Sequence, residues 1–505
     1  MLFNSFAFIF GFFPLTWLTT RVALKISGIR IAQVTISIAS LVFYAMWDVR
    51  YLLVLLGSIS VNFWLGRQIL RARGQNASRA AGRWLAAGVS FNLLVLGFFK
   101  YFSFIVANIA GVLGMQPPFA PIVLPLAISF VTFQKIGYLV DCRRGDVVRH
   151  DALNYLFFVS FFPQLIAGPI VHHRGLIDQT DQMANPLFTT PSARAMAFAT
   201  ALFFFAAGLF KKVVLADTLA RYGTPVFELA RYDAPSCADA WQAMLAYTLQ
   251  LYFDFSGYSD MAIGLALLFG FRLPVNFLSP YQATSLIDFW RRWHITLSAF
   301  LRDYFYIPLG GNRTGRGRHY RNLLLTMLVG GVWHGAGWTF IVWGGVHGVL
   351  LLLNHAWRGL INRSHLTCAL WHACPRIVPA GVTFTCVTLA WVVFRAHDLT
   401  AASRIFAALP LSGPWKTPRW PNLGDLLDAF LAARAPAGWL WIGLGLAIVW
   451  MVPNTTWLAA YDPTPNAPWR GRPGFMIGLL TGVAFWASLK WMAVQPPTEF
   501  LYFNF

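Results

Sequence analysis

Residues Arg321–Arg358 read RNLLLTMLVGGVWHGAGWTFIVWGGVHGVLLLLNHAWR. The 36 residues between those two arginines contain no Asp, Glu, Lys or Arg, and they hold three histidines, His334, His347 and His355. As one straight helix the run would be about 54 Å long at about 1.5 Å per residue, against a hydrocarbon layer of about 30 Å. It must therefore break or form two segments. The glycines place the break: VGGVWHGAGW, residues 329–338, carries Gly330, Gly331, Gly335 and Gly337. Glycine weakens a helix and permits close backbone approach. His334 is thus expected at or beside a break near mid-membrane depth, where membrane proteins often build a site. His347 follows 13 residues later. On a continuous helix that is about 20 Å away and more than half a turn around, so it cannot share the site unless the chain refolds.

The rest of the chain agrees with a membrane setting. Of 505 residues, 57% are hydrophobic and 11% charged, where a soluble domain has about a quarter charged. This argues against a soluble enzyme, a disordered chain or a secreted disulfide scaffold. The 39 Lys+Arg against 19 Asp+Glu leave a net charge of +20. In a soluble protein that excess would point to nucleic acid. Here it is read as cytoplasmic loops collecting basic residues, and no nucleic-acid partner is expected. Five cysteines without regular spacing give neither a disulfide framework nor a zinc pattern, and no metal site is expected.

The first 20 residues, MLFNSFAFIFGFFPLTWLTT, precede the first basic residue, Arg21. A signal peptide has its positive charge before the apolar run, so this is read as a retained span with its N-terminus outside. Residues 31–47 and 51–66 are separated by a neutral turn carrying Asp48 and Arg50. Arg67, Arg71, Arg73, Arg79 and Arg83 then follow with no acid among them. Loops after spans one and three are basic and the loop between is neutral, as cytoplasmic basic loops require. A basic amphipathic helix on the membrane surface is compatible with the same orientation.

Further apolar stretches lie near 84–113, 119–140, 152–171, 195–215, 240–271, 322–357, 377–394, 438–452 and 474–492. At about 20 residues per crossing they predict about eleven spans. One conflict lies between 150 and 320. Lys211 and Lys212 end one run, while His172, His173 and Arg174 end another, and both groups cannot be cytoplasmic if each run is a simple span. Half-membrane segments, buried by protein or reached by water, would resolve it. Residues 396–436, with Pro410, Pro414, Pro418 and Pro421, read as an amphipathic loop. No internal repeat is present. The expected division is 1–94, N-terminal membrane helices; 95–395, a central core; and 396–505, the polar loop and C-terminal helices.

The central third concentrates polar residues. YFDFSGYSD, residues 252–260, carries Asp254 and Asp260. Acids inside a membrane are functional by default, although both would also serve as interfacial helix caps. IDFWRRWHITLSAFLRDYFYIPLGGNR, residues 287–313, offers Asp288 as a cap. On a helix it aligns Trp290, Trp293, His294 and Leu297 on one face. Arg313, Arg316, Arg318 and Arg321 then cluster without an acid, suited to lipid headgroups or to a donor's phosphates. A histidine titrates near neutrality, and burial keeps it neutral and basic, which suits a base acting on a hydroxyl acceptor. A structural histidine bonded to a carbonyl is the plain alternative. No Walker A loop, G-x-S-x-G elbow, H-E-x-x-H or Cys/His spacing is present, which disfavours an ATP-driven pump and a hydrolytic metalloenzyme.

FWRRWHITLSAFLRDYFYIPLGGNR and GGVWHGAGWTFIVWGGVHG together resemble the membrane-bound O-acyltransferase family. So do LPLAISFVTFQKIGYLVDCRRG, FFPQLIAGPIVHHR, YFDFSGYSDMAIGLALLFGFRLPVNF and the C-terminal FLYFNF. The bacterial branch that O-acetylates exopolysaccharides such as alginate is the most similar, and the teichoic acid D-alanylation branch is more distant. The resemblance implies an all-α integral membrane protein, a ring of about eleven tilted helices with half-membrane segments around a central funnel, and makes 95–395 the catalytic core. It puts the family's essential histidine on His334 and a second recurrent polar position on His294.

It implies acyl transfer from a cytosolic thioester, acetyl-CoA or another, to an acceptor outside the bacterial inner membrane. A periplasmic partner of the acetylesterase type would complete the transfer, and no bound cofactor is implied. Trp290, Trp293 and Trp333 would orient donor and acceptor. Asp254 and Asp260 would shape the inner site, and Arg302, Arg313 and Arg321 would meet the donor. The rival reading is a polysaccharide or lipid export subunit without covalent chemistry. Broken helices suit it too, but an exporter is expected to show internal repeats.

Overall fold

A computed structural model describes residues 1–147, 150–180, 191–313, 315–361, 363, 373–409, 437–464, 474–495 and 498–501. Among the described residues every regular element is helical. Seven helices are long and apolar enough to cross a membrane: Ala7–Ser27, Val49–Gly74, Ser78–Val112, Ala195–Leu229, Trp338–Ile361, Ile377–Arg395 and Phe475–Val494. Ile29–Ala45, Leu399–Ala408 and Ala437–Met451 are shorter apolar helices. A helix satisfies all its backbone groups within itself, which a bilayer demands. The protein is an all-α, multi-pass membrane protein.

The chain forms two compact units. The first comprises Met1–Phe210, Tyr258–Val275 and Thr455–Asn504. In it the helices Val49–Gly74, Ser78–Leu96 and Ile128–Arg144 pack on one another, and Phe475–Val494 packs along Pro191–Phe210. Phe3, Phe8, Phe43 and Phe162 form an aromatic core, which Tyr258 and Phe500 extend. The second unit comprises Lys211–Gly257 and Asn276–Asn454. Its centre is the pair Arg316–His334 and Trp338–Ile361, against which Ile377–Arg395 and Leu286–Arg292 pack. The expected break in the 36-residue run falls at Gly335–Gly337, between these two helices.

Several sequence expectations are corrected. Lys212 does not end an apolar run. It lies inside the continuous helix Ala195–Leu229, 2% exposed, with Nζ 2.8 Å from Asp217 and 2.7 Å from Asp254. Paired charges can remain in the interior, so the helix runs on. Residues 152–171 form the nine-residue helix Ala152–Ser160, about 14 Å long at about 1.5 Å per residue, then the turn Phe162–Leu165. That is too short to cross, as a half-membrane segment would be. Asp288 is not the cap of its helix. Ser285 is, accepting from Asp288 N–H at 3.2 Å. Within 396–436, Leu399–Ala408 is a helix capped by Asp398. Pro410, Pro414, Pro418 and Pro421 lie outside the described residues, as do the last four residues of FLYFNF.

Candidate active site

His334 is the last residue of Arg316–His334, and Gly335 follows in extended backbone. The chain then returns as Trp338–Ile361, and the two helices cross at Gly331 and Gly344. A Cβ on Gly344 would stand 2.5 Å from the Met327 carbonyl oxygen and 3.2 Å from Gly331 Cα, and one on Gly331 would strike the Phe340 carbonyl. Small residues at a crossing let membrane helices approach this closely. The approach seats His334, 4% exposed, edge-on to Trp343 at 5.1 Å between centroids. Trp333 lies at 4.9 Å and Phe394 at 5.2 Å.

The helical stripe expected for Trp290, Trp293 and His294 is not continuous. The helix Leu286–Arg292 ends at Trp293, and Ile295–Leu301 starts anew after His294. His294 sits between them at φ +42°, ψ +54°, left-handed backbone that strains a bulky residue by about 1–3 kcal/mol. Asn276 holds it there. Its carbonyl accepts from Ile295 N–H at 3.0 Å. Its Oδ1 accepts from Thr296 N–H at 3.2 Å and Thr296 Oγ1 at 2.7 Å. His294 Nδ1 lies 3.4 Å from the same oxygen. The Thr296 amide can only donate, so this oxygen is the acceptor. The imidazole therefore interacts with it through a proton on Nδ1, which makes Nε2 the basic nitrogen.

His294 is completely buried, with Phe255 edge-on at 4.7 Å and Trp333 at 6.1 Å. Trp333 thus neighbours both histidines. Burial among rings favours the neutral imidazole, the form that accepts a proton.

Trp290 is 5.9 Å from Trp343 and 5.1 Å from His347. Trp293 stacks on Phe289 at 5.6 Å and meets Trp391 at 5.1 Å. His347, which a straight helix would have carried away, is brought back by the turn. Its ring is 4.8 Å from Trp343, the same tryptophan that touches His334. It is fully buried, and neither ring nitrogen has a hydrogen-bond partner among the described residues. Sequence reading missed this pairing, although Trp343 and His347 are four residues apart on one helix face. It also missed Asn276, a loop residue with no local signal.

Asp254 is held by Lys212, although its neighbour Phe255 touches His294. Asp260 accepts from Thr455 Oγ1 at 3.0 Å. Arg302 pairs with Asp303 in the open. Arg313 and Arg321 are exposed, and Arg321 precedes His334 by about 20 Å of helix. Among the described residues no group of three or more His, Cys, Asp or Glu could hold a metal ion.

Residues 140–387 match the model of the membrane-bound O-acyltransferase family. The chain is 41% identical over 435 residues to the peptidoglycan O-acetyltransferase of Helicobacter pylori, covering 81% of this chain and 80% of that protein. It is 43% identical over 424 residues to the probable alginate O-acetylase of Pseudomonas aeruginosa, covering 82% and 76%. Over 297 residues it is 27% identical to the teichoic acid D-alanyltransferase of Streptococcus thermophilus, covering 53% and 68%. With the family's model spanning His294, His334 and His347, and the first two of these relatives aligned over about four fifths of the chain, the protein belongs to the membrane-bound O-acyltransferase family and is an O-acyltransferase.

Proposed function

We propose that the protein moves an acetyl group from a cytosolic acyl thioester, such as acetyl-CoA, across the bacterial inner membrane for O-acetylation of an exported or cell-wall polysaccharide. The observation that carries this reading is Trp333 set against two buried imidazoles, 4.9 Å from His334 and 6.1 Å from His294. The acceptor hydroxyl attacks the thioester carbonyl. A C–O bond forms, the C–S bond breaks, and the thiol leaves with the proton that His334 removed from the hydroxyl. Such a base contributes about 10²- to 10⁴-fold. His294, its Nδ1 directed at Asn276, orients the reactants with Trp290, Trp293 and Trp333. Asp254 shapes the inner side through its buried contact with Lys212.

The exposed Arg302, Arg313 and Arg321 meet the donor from the cytosol, a role supported by guanidinium affinity for phosphate. The acceptor class is supported by the names of two relatives, one acting on peptidoglycan and one on alginate. A periplasmic acetylesterase-like partner receives the acyl group and passes it to the polymer. The N-terminus lies on the periplasmic side, as the basic loops after spans one and three require.

The test is a deletion strain analysed for both polymer export and polymer O-acetyl content. Normal export with loss of O-acetyl groups, restored by the wild-type gene, is expected. Lost export would contradict it and favour an export subunit.

A further inference from the structure

Basic residues follow the helix Val49–Gly74 as an orientation signal, but three arginines in this region do more than lie in a loop. Arg73, in the last turn of Val49–Gly74, and Arg143 and Arg144, in the last turn of Ile128–Arg144, line one cleft of about 450 Å³, with Asn76 in the turn after the first helix and Ser78 at the start of the next. The cleft lies wholly within the first unit. A helix's C-terminal carbonyls favour a cation in the last turn, which accounts for an arginine on each helix. It does not account for three converging on one space.

The placement of Arg73 depends on a glycine. A Cβ on Gly145, at φ +88°, would collide with the Arg73 guanidinium, and one on Gly82 would lie 3.6 Å from Arg143 Nη2. The Arg73 head group therefore lies over bare backbone at Gly145, and the Arg143 head group reaches Gly82 at an ordinary contact distance. Between Asp48 and Asp141 the sequence has no acid. Asp141 lies 3.7 Å from His172, and no carboxylate lines the cleft. The Arg73 and Arg143 guanidinium groups make no ion pair or side-chain hydrogen bond among the described residues.

Arg73 and Arg143 bring two like charges to one space, and an anion between them removes their repulsion. Planar guanidinium groups match phosphoryl oxygens two at a time. The volume is within the range of small-molecule pockets, about 300–1,000 Å³, and exceeds the needs of a bare ion. Leu85 and Val140 supply an apolar floor, which suits a phosphate joined to an apolar group.

We propose that this cleft binds a phosphate ester, with Arg73, Arg143 and Arg144 gripping its phosphoryl oxygens. Two sources share that chemistry, an anionic phospholipid headgroup and a soluble phosphorylated thiol carrier. The site stands independently of the assignment at His334.

The test uses the purified full-length protein in neutral detergent, with phosphatidylglycerol and coenzyme A as separate probes. Affinity is compared between wild type and the triple variant Arg73→Gln, Arg143→Gln, Arg144→Gln. A loss of at least tenfold for phosphatidylglycerol identifies the headgroup, and the same loss for coenzyme A identifies the soluble carrier. Either supports the site. Because the variant could misfold, the wild type is also treated with phenylglyoxal, an arginine-modifying reagent, with each probe present. Protection of Arg73, Arg143 and Arg144, read by peptide mass spectrometry, is the expected result. Unchanged affinity for both probes in a monodisperse variant would overturn the proposal. So would absence of protection by either probe in the wild type.

Discussion

His334 is legible in the amino-acid sequence, because a histidine beside four glycines in a charge-free run has few bland explanations. Its neighbours are less so. Asn276 reaches His294 across 18 residues, and no local pattern announces a left-handed histidine. Asn276→Ala leaves the Thr296 N–H without its acceptor, which costs about 1–3 kcal/mol when the group is buried. It also frees the His294 imidazole, so acyl transfer is expected to fall at least about tenfold, equivalent to about 1.4 kcal/mol. Initial rates in membranes matched for protein content check this; an unchanged rate would remove Asn276 from the site.

Asp254 is visible as an acid in apolar surroundings, whereas its partner Lys212 looks like the end of a span. The reason is that the pairing joins two different helices. Lys212→Met removes the buried ammonium from two carboxylates and is expected to destabilise by about 3–5 kcal/mol. Adding Asp254→Leu should recover part of that loss, measured by thermal unfolding in detergent. No recovery would mean that the pair is not coupled.

At the scale of the element, length against bilayer thickness is enough to demand a break between Arg321 and Arg358, and the glycines locate it. What the pattern does not convey is that the second half returns along the first, so that Trp343 touches both His334 and His347. That depends on the crossing at Gly331 and Gly344, where there is no room for a side chain. Gly344→Val should force the helices apart, with an overpacking cost of about 1–3 kcal/mol, and abolish acyl transfer. Gly345→Ala, whose Cβ would meet Leu328 Cδ2 at an ordinary 3.7 Å, should change stability by less than about 0.5 kcal/mol and leave activity intact. Equal effects at the two glycines, in membrane level and in polymer O-acetyl content, would show that the crossing does not control the site. The broken stripe at 290–297 is illegible for a related reason. Helical spacing is satisfied there, and contacts from the loop that carries Asn276 and Leu278 turn the chain.

At the scale of the whole molecule, composition and charge are sufficient for an all-α membrane protein, and the long collinear motifs for its family. Alternating basic and neutral loops also predict orientation. A cysteine introduced at Gln75, in an otherwise cysteine-free background, should react with a membrane-impermeant maleimide in inverted vesicles and not in intact spheroplasts. Labelling of spheroplasts would reverse the topology and with it the side from which the donor enters.

The central claim is that the buried His334 performs the proton transfer of O-acylation. It is tested most directly by His334→Ala in a strain lacking the wild-type gene, with membrane abundance and polymer export measured alongside polymer O-acetylation. The account predicts normal abundance, normal export and a rate lowered about 10²- to 10⁴-fold. Polymer acetylated at the wild-type rate by the variant would contradict it.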